Sequence, residues 1–218
     1  MLRNRSELVA AKRVVVKVGS SSISGANEHK IDKIVDALAA AHQRGQEVVL
    51  VTSGAIATGL PLLGLEVRPD DLATSQALAS VGQGRLISRY QQSLERYDII
   101  AGQVLLTAQD LEGEETTENA RRAMERLLEL RVIPIVNEND TVATAEIRFG
   151  DNDRLAALVA ILVDADALIL LSDVDGIYTK PPGEPGAERI ELVPFGHLLE
   201  KYLTWHENGY EIRHLVLG

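Results

Sequence analysis

The chain has 218 residues, 45% of them apolar, which suits one large or two small globular domains and argues against an intrinsically disordered protein. Its 32 acidic residues outnumber its 22 basic ones, and the net charge of −10 offers no basic face for nucleic acid. Cysteine is absent, which excludes disulfides and thiol chemistry, and neither a membrane-spanning apolar run nor a signal peptide is recognisable, so we expect a cytoplasmic protein.

Strand-like and helical segments alternate along the chain. Short β-branched and apolar runs predict strands at 13–18, 47–52, 99–107, 132–136 and 167–171. Apolar residues at helical spacing predict helices at 31–44, 55–63, 71–97, 117–130 and 151–163. Gly82 and Gly84 are expected to interrupt the third helix, Pro134 indicates an edge strand or a local irregularity, and 142–149 alternates like a small hairpin.

This alternation predicts one α/β domain over residues 1–218. Strands that alternate with helices are joined by right-handed crossovers, and valine-rich strands are typical of a sheet covered on both faces. The expected fold is therefore a three-layer α/β/α sandwich with a mainly parallel open sheet. In such sheets ligands bind beyond the carboxyl ends of the strands, and polar clusters follow several of the predicted strands.

The first polar cluster runs from Lys17 to Ser21. Lys17 could neutralise the charge of a phosphoryl group in transfer, and Gly19 would let a phosphate approach the backbone. The alternative is a surface lysine whose stem lies along apolar neighbours.

The second cluster, 52–55, joins a strand to a helix. Backbone N–H groups there can face an anion, and the Ser53 hydroxyl can bind a carboxylate, although a plain helix N-cap also explains Ser53. The spacing of a Walker A loop is absent, and Gly82-Gln83-Gly84 lies within a helical stretch, so it is not a dinucleotide-binding fingerprint.

The third cluster pairs N-E-N-D at 137–140 with G-D-N-D at 150–153. If the segment between them is a short hairpin, both can converge on one pocket, where Asn side chains could donate to a substrate carboxylate and Asp could accept from its ammonium group. The carboxylates could also bind Mg²⁺, although the nucleotide largely holds the metal in phosphoryl transfer. The alternative is a solvated acidic loop.

A fourth polar segment, 172–179, follows the last strand. Asp173 or Asp175 could bind a ribose or adenine group, and an Asp-Gly turn explains the same residues equally well. The five His residues lack metal-ligand spacing and are expected to be structural or exposed.

Taken together, five motifs resemble the glutamate 5-kinases of the amino-acid kinase family over about residues 11–180. The motifs are V-V-V-K-V-G-S-S from Val14, V-T-S-G-A-I-A from Val51, G-Q-V-L-L-T from Gly102, the stretch from V-N-E-N-D at Val136 to G-D-N-D-R-L-A-A-L-V-A, and L-L-S-D-V-D-G-I-Y from Leu170. The resemblance implies transfer of the γ-phosphoryl group of Mg²⁺-ATP to the side-chain carboxylate of L-glutamate, the first step of proline biosynthesis. It also implies a cytoplasmic dimer or tetramer that proline can inhibit.

The resemblance also implies a role for individual residues. It assigns catalysis to Lys17 and Asp153, glutamate binding to Ser53, Asp140 and Asn152, and nucleotide binding to Lys17, Gly19, Ser172 and Asp173. Arg148 stands where other members often carry Lys.

The chain departs from the family after about Pro194. The Gly-rich G-T-G-G-M-x-[ST]-K segment that cradles ATP phosphates is absent, and 194–218 reads as a divergent or truncated tail. We therefore expect a kinase domain incomplete at its C-terminus and lacking a PUA domain, whether through truncation, early termination of the gene or a natural short form. Alternative functions are another member of the family, or a non-catalytic regulatory protein that binds glutamate or proline.

Overall fold

A computed structural model describes residues 5–142, 152–171, 176–180 and 183–190. Within them, the main sheet comprises β1 (Arg13–Val18), β2 (Glu47–Val51), β3 (Ala101–Leu106), β4 (Ile133–Glu138) and β5 (Ala167–Leu171). The α-helices are α1 (Lys30–Gln43), α2 (Ala55–Leu62), α3 (Leu72–Glu95), α4 (Glu114–Glu129) and α5 (Asp153–Leu162). Short 3₁₀ turns lie at Arg5–Ala10, Ser20–Ser22, Gly25–Asn27 and Gln109–Leu111, and a small hairpin joins β6 (Ile177–Tyr178) to β7 (Arg189–Ile190).

The main sheet has the strand order β3-β4-β2-β1-β5, and all of its strand pairs are parallel. Val16 at the centre of β1 lies opposite Leu50 of β2 on one side and Ile169 of β5 on the other. The predicted three-layer fold with a mainly parallel sheet is confirmed. The carboxyl ends of β1, β2 and β4 therefore meet at one edge, where the predicted polar clusters begin.

The sheet buries a different apolar core on each face. Because side chains alternate along a strand, Val16 packs with α1 and α3, whereas Val15 faces α4 and α5. Val16 is joined on its face by Tyr90 of α3, and Val15 on the other face by Met124 of α4 and Val159 of α5. Each such buried side chain contributes about 1.5–3 kcal/mol.

The prediction that Pro134 marks an edge strand is wrong, because β4 lies between β3 and β2. Ile133 donates its N–H to Ile100, so the nitrogen of Pro134 faces β2. Pairing between β4 and β2 begins only at Ile135, so proline costs no ladder hydrogen bond. The alternative reading, a local irregularity, fits this late start of the pairing.

The predicted interruption of the third helix is also wrong, since α3 is continuous through Gly82 and Gly84. A β-carbon added to Gly82 would collide with the carbonyl oxygen of Ala55 in α2, so the glycine permits close helix packing rather than a break. The hairpin predicted at 142–149 lies almost wholly outside the described residues. Among the helices that the structure describes, none is both long and apolar enough to cross a membrane.

Candidate active site

A buried lysine lies at the carboxyl end of β1. Lys17 is only 2% exposed, and its Nζ lies 2.6 Å from Oδ1 of Asp153, the first residue of α5. Alternation along β1 turns Lys17 towards the α5 face, the same face as Val15. A buried charge requires a partner of this kind, so the surface-lysine interpretation does not fit the structure.

The turns after β1 and β2 come together beside this ion pair. A β-carbon on Gly19 would lie 3.6 Å from Nζ of Lys17, so this glycine keeps the backbone close to the ammonium group. Gly54 has a left-handed φ of 103°, and a β-carbon there would lie 3.1 Å from Oγ of Ser24. The two loops can therefore pack against each other because glycine occupies the contact.

Ser53 does not act as the N-cap of α2. The cap position belongs to Gly54, which offers no side chain, and Oγ of Ser53 is buried with no hydrogen-bond partner among the described residues. Leaving a buried hydroxyl unpaired costs about 1–3 kcal/mol. A ligand that accepted or donated a hydrogen bond here would recover that cost.

The side-chain amides of Asn152, Asn137 and Gln83 form a buried chain of hydrogen bonds, which we call the relay, next to Thr52. Nδ2 of Asn152 donates to the carbonyl oxygen of Thr52 at 2.6 Å and to Oδ1 of Asn137 at 2.8 Å. Nδ2 of Asn137 in turn donates to Oε1 of Gln83 at 2.6 Å. The relay ties together β2, β4, α5 and α3, so it holds the ends of the elements that carry the site.

The relay also fixes what Asn152 can offer a ligand. An amide nitrogen carries two hydrogens, and both of those on Asn152 are already engaged. Asn152 therefore meets a ligand through Oδ1, an acceptor. The expectation that this residue donates to a substrate carboxylate does not fit the geometry.

A cleft of about 280 Å³ opens at Gln83, the last residue of this relay. Its lining comprises Ala55, Ala79, Ser80, Gln83, Gly84, Gln103, Leu105, Glu138, Asn139, Asp140 and Thr141. Two carboxyl groups give it an acidic wall. Burial, and secondarily the charge of Asp140, raises the pKa of Glu138 to about 7. Burial also raises the pKa of Asp140, an effect that the charge of Arg68 opposes.

The raised pKa of Glu138 predicts a pH-dependent loss of stability in the ligand-free chain. Its pKa is about 7 in the folded protein against an ordinary 4.5, so the folded state holds the proton more tightly. The stabilisation is complete below about pH 4.5 and is lost as pH rises through about 7. In thermal unfolding from pH 5 to pH 8, the Tm of Glu138→Gln should therefore rise relative to that of the wild type as pH increases.

The exposed Glu129 provides the matched control for that series. Glu129→Gln makes the same chemical change at an exposed position at the end of α4, outside the cleft, and accounts for the effect of the substitution itself. A gap between wild type and Glu138→Gln that stays constant from pH 5 to pH 8 would contradict the prediction.

Comparison with known proteins places this chain in a family. The sequence profile of the Amino acid kinase family matches residues 12–214. The chain belongs to the amino acid kinase family. It is 69% identical over 197 residues to a glutamate 5-kinase of Clavibacter sepedonicus, covering 90% of this chain and 76% of the relative. A glutamate 5-kinase of Leifsonia xyli is 68% identical, with 90% and 73% covered, and one of Salinispora arenicola is 57% identical, with 87% and 52% covered.

The structure brings most of the predicted site residues of this amino acid kinase together. Lys17, Gly19, Ser53, Asn152 and Asp153 lie around the ends of β1 and β2 and the start of α5. Their predicted roles in binding and catalysis stay predictions.

Asp140 lies apart from that group, in the acidic cleft, and Asn137 connects the two regions. The predicted nucleotide residues Ser172 and Asp173 lie outside the described part of the chain, as does Arg148.

Sequence reasoning missed two residues of α3 that support the site. Gln83 accepts from Asn137, and the hydroxyl of Tyr90 lies 3.0 Å from Oγ1 of Thr52. They are seven residues apart, two helical turns, and so share the face that packs on the sheet. A polar side chain between small residues on the apolar face of a helix was the available signal.

Proposed function

We propose that this chain is a kinase that transfers the γ-phosphoryl group of ATP to the side-chain carboxylate of L-glutamate, forming glutamyl 5-phosphate, the first step of proline biosynthesis. The observation that carries this proposal is 68–69% identity over 90% of the chain to proteins named glutamate 5-kinase. The buried cation and the acidic cleft, which the amide relay connects, support it.

The reaction asks more for electrostatic positioning than for covalent help. A carboxylate oxygen forms a bond to the γ-phosphorus while the bond to the β-phosphate oxygen of ADP breaks. Both reactants are anions, so they must be held in line while positive charge offsets their repulsion. In our proposal Lys17 supplies that charge at the transferring group, and Asp153 fixes its position through the 2.6 Å ion pair.

The remaining roles follow the family resemblance. Ser53, Asp140 and Asn152 bind glutamate, and the carboxylate of Asp140 suits its ammonium group. Gly19, with Ser172 and Asp173, contacts the nucleotide.

Mg²⁺ enters as part of the nucleotide substrate, bound to its phosphates. Inhibition by proline, assembly into a dimer or tetramer and a cytoplasmic location complete the proposal.

A hydroxylamine trapping assay tests the proposed function. An acyl phosphate reacts with hydroxylamine to give a hydroxamate, which forms a coloured complex with added iron(III), so product should appear only with both glutamate and ATP. A parallel assay of ADP release with aspartate, N-acetylglutamate, carbamate and UMP tests the other activities of the family. Turnover of one of these in place of glutamate would refute glutamate as the acceptor. Glutamate binding without hydroxamate formation would indicate a binding protein.

A further inference from the structure

Gln83 ends the amide relay with an unused donor. The residue is 9% exposed, its Oε1 accepts from Asn137, and its Nε2 is buried without a hydrogen-bond partner among the described residues. Gln83 also lines the acidic cleft. A buried amide hydrogen with no acceptor is unfavourable, so this group is suited to a ligand that brings an acceptor.

Two backbone groups fix which way the amides point. The backbone N–H of Glu138 donates to Oδ1 of Asn137 at 3.0 Å, and the carbonyl oxygen of Thr52 accepts from Asn152. A backbone N–H can only donate and a carbonyl can only accept, so neither Asn can be turned over. Turning Gln83 would set its NH₂ against that of Asn137. The end of the relay at the cleft is therefore a donor.

The cleft pairs this donor with acceptors. Glu138 and Asp140 carry carboxyl groups. The hydroxyl hydrogen of Thr141 is already donated to Oδ1 of Asn139, with an O–O distance of 2.6 Å. Two other polar residues of the lining, Ser80 and Gln103, are exposed to solvent. Gln83 thus lines this wall while the relay holds its buried Nε2 donor in a fixed orientation.

The α-carbon end of an amino acid matches this arrangement. It carries an ammonium group, which needs acceptors, and a carboxylate, which needs a donor, on one carbon atom. The reacting carboxylate must instead lie towards Lys17, which does not line the cleft. Resting on the proposed function, we infer that Nε2 of Gln83 donates a hydrogen bond to the α-carboxylate of glutamate and thereby selects acceptors that carry this group.

The variant Gln83→Glu tests the contact without breaking the relay. One carboxylate oxygen of the substituted side chain can still accept from Asn137. The other oxygen replaces the donor by an acceptor, which repels the carboxylate of the ligand. Gln92→Glu makes the same change at an exposed position two and a half turns further along α3 and serves as the control. Ligand titrations followed by NMR give dissociation constants for glutamate and for 4-aminobutyrate, which lacks the α-carboxylate.

Gln83→Glu should weaken glutamate binding about ten- to a hundredfold, the range for a lost hydrogen bond to a charged group, and should leave 4-aminobutyrate binding nearly unchanged. Gln92→Glu should behave as wild type. Equal weakening of both ligands, unchanged glutamate binding, or a wild type that does not prefer glutamate would overturn the inference. If Gln83→Glu does not fold, Gln83→Met takes its place in the same comparison.

The outcome is separable from that of the proposed function. A wild-type chain that prefers glutamate to 4-aminobutyrate, loses that preference in Gln83→Glu and forms no hydroxamate would retain the Gln83 contact and refute the kinase activity. A wild type that forms hydroxamate, together with a Gln83→Glu variant that keeps its preference for glutamate, would support the kinase activity and refute the Gln83 contact.

Discussion

Replacing Lys17 by alanine is expected to lower kcat for hydroxamate formation by about 10²–10³-fold, the usual effect of removing one preorganised electrostatic group. The KM for glutamate should change much less, because the ammonium group acts on the transferring phosphoryl group rather than on the acceptor. Steady-state kinetics of the purified variant measure both parameters. A wild-type kcat in Lys17→Ala would refute the role of this residue.

Loss of folding must be separated from loss of chemistry in this variant. Removing Lys17 leaves the mostly buried carboxylate of Asp153 without its cation, and breaking a buried pair costs about 3–5 kcal/mol. The double variant Lys17→Ala/Asp153→Ala removes both charges, so it should regain thermal stability, while kcat stays low because both proposed catalytic residues are gone. Recovery of kcat along with stability would assign the defect to folding. Lys33→Ala, at an exposed position of α1, should match the wild type.

The central strands were predictable because β1, β2 and β4 are almost wholly buried. Such strands are continuous apolar runs, and the predicted 13–18 coincides with β1. The apolar run 167–171 likewise coincides with the edge strand β5. Helix ends were less predictable. The helix α4 begins at Glu114, three residues before the predicted start, because its first turn lacks apolar periodicity and is favoured instead by acidic residues beside the helix dipole.

The candidate site was predictable in its residue types but not in its connections. Lysine before a glycine and asparagine beside aspartate suggest phosphate and amino-acid chemistry at strand ends. The ion pair of Lys17 with Asp153 joins segments far apart in the chain, and no local pattern encodes it. The direction of the relay through Asn137 to Gln83 depends on backbone groups of three different elements, so only the folded structure shows that it ends in a donor.

The predicted break of α3 at Gly82 and Gly84 was wrong for a physical reason, and the same reason predicts a large change in stability when Gly82 is replaced. Glycine has a low helix propensity, which predicts a break when local sequence alone is considered. In the fold, Gly82 meets the backbone of α2 at Ala55, and Gly59 of α2 meets the backbone of α3 at Leu78. Tertiary contact of the two backbones therefore outweighs propensity at Gly82, whereas nothing lies within 4 Å of a β-carbon on Gly84.

Alanine should consequently have opposite effects at these two glycines. Gly82→Ala forces its methyl group into the carbonyl of Ala55 and should cost about 3 kcal/mol, lowering Tm by about 6–12 °C. Gly84→Ala enters open space and should gain about 0.5–1 kcal/mol through higher helix propensity, raising Tm by about 1–4 °C. Thermal unfolding of the ligand-free variants measures both, and equal shifts for the two would contradict the packing argument.

Gly82→Ala should also weaken ligand binding, because Gln83 directly follows Gly82. Pushing α3 away from α2 moves Gln83 relative to Asn137 and stretches a hydrogen bond of 2.6 Å. Glutamate binding should therefore weaken in Gly82→Ala even at temperatures where the variant is fully folded. Titration with glutamate well below the Tm of the variant tests this, and wild-type affinity there would show that the helix contact supports stability alone.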